Sequence, residues 1–107
     1  MIVATTETIA GHDIVEVLGL ARGNVIRAKH VGTDIIAGLR NLVGGEVSEY
    51  TKLMAEAREQ ALDRMAADAR AMGADAIVGM RISTAMVMQG SAEILAYGTA
   101  VRLAPKS

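Results

Sequence analysis

The feature that most constrains this chain is a change of period at one glycine. From Ser48 to Met72 the apolar residues recur at helical spacing, and after Gly73 they alternate. One element cannot carry both periods. Gly73 is suited to the left-handed conformation that closes a helix. The spacing predicts a helix capped by Ser48. Its apolar face would hold Tyr50, Leu53, Met54, Ala57, Ala61, Met65, Ala69 and Met72. Glu49–Lys52, Lys52–Glu56 and Arg64–Asp68 are favourable side-chain pairs, whereas Glu59–Asp63 is a like-charge pair that a neighbouring subunit's base would answer.

Beyond Gly73 the alternation predicts a strand with Val78, Met80, Ile82, Met86 and Met88 on one face and Gly79, Arg81 and Ser83 on the other. Gln89-Gly90-Ser91 reads as a turn. The next run alternates with Leu95, Tyr97, Val101 and Leu103 on one face, which completes a β-hairpin. Upstream, residues 2–6 read as a short strand, and residues 13–28 as one strand or a bent pair. Gly19 and Gly23 are candidate bulge or turn positions there. Ile35, Ile36, Leu39, Leu42 and Val43 form a helical stripe that Gly44 stops. The expected order is β-β-α-α-β-β, an α+β two-layer domain with an antiparallel or mixed sheet. Residues 1–107 read as a single domain, with 104–107 fraying.

Helices on one side leave the other face of such a sheet to be explained. Composition sharpens the point: the chain has no Phe or Trp, and only Tyr50 and Tyr97 as aromatics. A core of Ala, Val, Ile, Leu and Met buries little area per residue, so burial against other subunits is expected to supplement it. The formal charge of −1 gives no electrostatic basis for nucleic-acid or anionic-membrane binding. No apolar run reaches about 18 residues, and no secretory leader is read at the N-terminus. The chain has no Cys, which excludes disulfides, thiolate metal sites and Cys nucleophiles. The expected location is cytoplasmic.

The segments "TTETIAGHDIVEVLGLARGNVI", "AGLRNLVGGEVSEYTKLMAEAREQALDRM", "AMGADAIVGMRIS" and "YGTAVRL" resemble the YbjQ family over almost the whole chain. "VGGE…Y…AREQAL…A…GADAIVG" is the most specific part. The resemblance implies a dodecin-like α+β subunit that assembles as a ring-shaped homopentamer. It also brings a heavy-metal-binding label, while the family's biochemical role is unassigned.

The residues themselves offer that label little. His12, beside Asp13, and His30, four residues before Asp34, are the only histidines. Neither stands in a spacing that chelates zinc or copper from one chain. A ring could gather one His from each copy. Met86 and Met88, with Met80 on the same predicted face, could bind Cu(I) through thioethers, but Met also fills core gaps in a chain lacking aromatics. The candidate metal ligands are therefore His12, His30, Met86 and Met88. No catalytic residue is assigned. Glu49, Glu56, Glu59, Asp63 and Asp68 alternate with bases, as on a solvated or inter-subunit face. "VGGEVS" lacks the lysine of a phosphate loop, and no nucleophile elbow is present. The reading is a non-enzymatic, ring-forming protein that binds a small ligand or metal ion at subunit interfaces or in a central pore. The alternatives are a ligand-free scaffold for a protein partner and an enzyme with an inter-subunit site.

Overall fold

A computed structural model describes residues 1–28, 48–88 and 91–107. The described elements are β1 (Ile2–Val3), β2 (His12–Ala28), α1 (Ser48–Ala71), β3 (Ala76–Met88) and β4 (Ser91–Pro105). The helix read over 33–43 and the residues Gln89 and Gly90 lie outside the described residues. The four strands form one mixed sheet in the order β1-β3-β4-β2. β1 runs parallel to β3, and β4 is antiparallel to both β3 and β2. The architecture is thus α+β, with one described helix on a four-stranded mixed sheet.

α1 ends as the sequence indicates. The Gly73 amide donates to the Arg70 carbonyl (3.0 Å) and the Ala74 amide to the Ala69 carbonyl (3.1 Å). With Gly73 at φ +83°, this is a Schellman motif, which satisfies two carbonyls at the helix end. Ala57, Ala61, Met65 and Ala69, one per turn, are fully buried against the sheet, with Met54, Leu62 and Met72 half-buried beside them. The helix lies over β2 and β4 and barely reaches β3.

The helix can come this close because of Gly23. A Cβ there would overlap the Met65 amide nitrogen and the Ala61 carbonyl oxygen and would lie 2.7 Å from Arg64 Cβ. Gly23 is therefore a contact point and not a bulge. The bulges in β2 fall between Ile14 and Glu16 and between Val17 and Gly19, so the irregularity expected at Gly19 is present and β2 is one strand throughout.

Close approach also decides which face of β4 the helix covers. Ile94, Ala96 and Ala100 lie under it, whereas Val101 and Leu103 belong to the opposite face with Ala76, Val78, Ile9 and Ile14. The larger residues Leu95, Tyr97, Val101 and Leu103 thus share the face away from the helix. The tail is also more ordered than expected: Ala104 and Pro105 pair with Asp13 and His12, and the Lys106 amide donates to the Gly11 carbonyl (3.0 Å).

Candidate functional site

β3 carries two of the four candidate metal ligands, Met86 and Met88, and two bulges rearrange its residues. Val78 pairs with Thr99 but Arg81 with Tyr97, so Gly79 and Met80 together oppose one residue. Gly79 takes φ +62°, the backbone conformation that a glycine-initiated bulge requires. Val78 and Arg81 therefore share the face away from α1, and Met80 turns to the helix side, where it packs against the core. A second shift pairs Met86 with Ala92 and Met88 with Ser91. Ala92 and Ser91 are adjacent on β4, so their side chains take opposite faces. Met86 and Met88 follow them onto opposite faces, so the expected thioether pair is not assembled.

Both sulfurs are also exposed, Met86 at 80% and Met88 at 66%. His12 is exposed at the start of β2, with Nδ1 3.1 Å from the Ala10 carbonyl. In the tautomer that donates this bond, Nε2 keeps its lone pair, the orientation a metal-ligating histidine uses. His30 lies outside the described residues. Among the described residues no three His, Cys, Asp or Glu side chains come together as a metal cluster.

The structure does form a groove that the sequence pattern did not indicate. On the face away from α1, Glu7, Ile14, Val17, Val78, Gly79, Arg81, Thr99 and Val101 line a groove of about 440 Å³. Its floor is apolar. Arg81 is held at its rim, where Nη1 donates to the carbonyls of Thr5 (3.0 Å) and Met80 (2.8 Å). An apolar floor with a few fixed polar groups is the usual form of a small-molecule site. The signal in sequence was Gly79 beside Arg81, but strict alternation concealed that Arg81 and Val78 share a face.

The outer edge of β2 is finished differently. The Arg22 amide donates to Asp68 Oδ2 (3.0 Å), and Arg64 Nη1 donates to the Asn24 carbonyl (2.7 Å). The side chains of Arg64 and Asp68 thus cap outward-facing backbone groups of the sheet. At the far end Arg27 Nη2 donates to Gln60 Oε1 (2.6 Å). Glu56, Glu59 and Asp63 are exposed on α1.

The YbjQ family model, described as "Putative heavy-metal-binding", matches residues 1–104. A UPF0145 protein of Methanosarcina acetivorans is 61% identical over 103 residues, covering 96% of this chain and 97% of that one. UPF0145 proteins of Archaeoglobus fulgidus (96% of this chain, 95% of that one) and Thermus thermophilus (98% and 92%) are each 54% identical. A crystal structure from Pediococcus pentosaceus, of a protein with unknown function in the DUF74 family, has a similar fold. Its TM-score is 0.63 at 18% identity, covering 97% of this chain and 98% of that one.

Proposed function

Because this chain belongs to the YbjQ family, we propose that it is a non-enzymatic, self-assembling subunit that binds a small ligand or ion where its copies meet. The observation that carries this reading is the groove beneath Arg81, which opens on the sheet face that α1 leaves uncovered. Exposed Val17 and Leu20 continue that face on β2. A second copy laid against it would turn an open groove into an enclosed site. The homopentameric, dodecin-like ring that the family resemblance implies is one arrangement that would do so, with a central pore as a further place for an ion. A cytoplasmic location goes with this reading, and no described helix is long and apolar enough to cross a membrane.

Among the described residues a single copy does not bring His12, Met86 and Met88 together, so a site built from these three would draw donors from more than one copy. That favours a small organic ligand over a heavy metal, and it keeps the ligand-free scaffold as the second reading. Native mass spectrometry of the untagged protein, with and without Zn(II) and Cu(I), separates these. Adduct mass on the purified assembly supports ligand binding, and stoichiometric metal would point to His12, His30, Met86 and Met88. An assembly that stays free of adducts under all three conditions would favour the scaffold.

A further inference from the structure

The groove under Arg81 holds two opposite charges that do not answer each other. Glu7 and Arg81 both line it, yet the one salt bridge among the described residues joins Arg102 to Glu16 (3.7 Å). The floor beside them is apolar, with Val78 and Val101 buried and Ile14 half-buried.

Arg81 is a prepared group, not a drifting surface side chain. The bulge at Gly79 is stitched to the N-terminal segment, where Gly79 N donates to the Thr6 carbonyl (2.8 Å) and Met80 N to the Ala4 carbonyl (3.0 Å). The guanidinium is tied to the same two segments, because Nη1 makes both of its described hydrogen bonds, to Thr5 and Met80. Among the described residues Nε and Nη2 make none. That edge of the guanidinium presents two parallel N–H groups, the fork that takes a carboxylate bidentately. Fixing the head in advance lowers the ordering cost of binding. Glu7 follows directly on the segment that holds Arg81, so one stretch of backbone places both charges.

These groups select against most occupants. A metal cation would meet the charge of Arg81. Phosphate would face Glu7 and gain nothing from the floor. An aliphatic acid would satisfy Arg81 but set its carboxylate against Glu7, and an aliphatic amine would do the reverse. Covering either charge without a partner is costly. A molecule with a carboxylate, an ammonium and a short hydrocarbon chain answers all three features. The volume of about 440 Å³ lies near the low end of the range for small-molecule sites, about 300–1,000 Å³. It suits an amino acid better than a nucleotide-sized cofactor.

We propose that this groove binds a free amino acid with an aliphatic side chain. Its carboxylate takes the Nε–Nη2 edge of Arg81, its ammonium donates to the Glu7 carboxylate, and its side chain lies over Ile14, Val78 and Val101. This rests on the ligand-binding reading above and names the class of ligand.

Isothermal titration calorimetry of the full untagged chain tests it, with L-leucine, 4-methylpentanoate and 3-methylbutylamine as probes. The second lacks the ammonium and the third the carboxylate. Leucine should bind at least about tenfold more tightly than either, the scale of one lost hydrogen bond to a charged group. Glu7→Gln, at an exposed position, should bring leucine down to the level of 4-methylpentanoate. Arg81→Gln should weaken both acids by about tenfold or more, with an unchanged circular dichroism spectrum; if that variant loses its fold, Glu7→Gln carries the comparison alone. Equal binding of leucine and 4-methylpentanoate, or a Glu7→Gln variant that binds leucine like wild type, would overturn the inference. So would a failure of all three probes to bind, and native mass then separates the two levels. An assembly that carries an adduct of another mass leaves ligand binding standing, whereas one free of adducts loses that reading as well.

Discussion

The two long edges of this sheet are finished in opposite ways. Along β2 the helix comes into backbone contact at Gly23, and Arg64 and Asp68 reach over to cap the strand's outward groups at Asn24 and Arg22. Along β3 the described backbone contacts on the outer edge end at Met80, and beyond it no other described strand pairs with the uncharged, apolar half-strand Ile82–Met88. Natural sheets commonly blunt their exposed edges, because an open one invites aggregation. The chain blunts one with specific charged side chains and leaves the other uncharged.

The comparison can be broken most severely at Gly23. Gly23→Ala would drive a methyl group into the α1 backbone, so thermal or urea unfolding should show a loss of about 3 kcal/mol or more. Wild-type stability would mean that the helix does not lie where described. Ala61→Leu attacks the same contact from the helix and should cost about 1–3 kcal/mol; an unchanged melting temperature and an unchanged mass would count against it. Asp68→Ala removes the acceptor for the Arg22 amide. It should cost about 1 kcal/mol and speed exchange at that amide, whereas equal exchange would show that the cap is incidental. The smallest effect belongs to the uncharged edge. In a dissociated sample Met86→Lys should alter unfolding free energy by no more than about 0.5 kcal/mol, since the side chain touches little within its own chain. A large loss would place Met86 inside the protomer's own core.

Much of the covered half was legible in sequence. Ala57, Ala61, Met65 and Ala69 recur at helical spacing, and Gly73 closes the helix because it can take φ +83°. The open half was legible only in outline. Strict period-two reading put Met86 and Met88 together, but bulges at Gly79 and near Val87 each reverse the phase, and a bulge depends on the partner strand as much as on its own residues. Alternation correctly put Leu95, Tyr97, Val101 and Leu103 on one face of β4 but did not say which face the helix covers; a helix seated on Gly23 leaves room mainly for Ala96 and Ala100 with Ile94. Strand order, and with it the identity of the edges, comes from long-range pairing that no local pattern encodes. The groove under Arg81 was missed because Glu7, Arg81 and Thr99 meet only once that order is set.

Sedimentation velocity of the untagged wild-type chain over a hundredfold dilution tests the central claim most directly. The account predicts a defined multiple of 11.2 kDa that dissociates, if at all, at the low end of the series. A single 11.2 kDa species with the frictional ratio of a compact sphere at every concentration would contradict it.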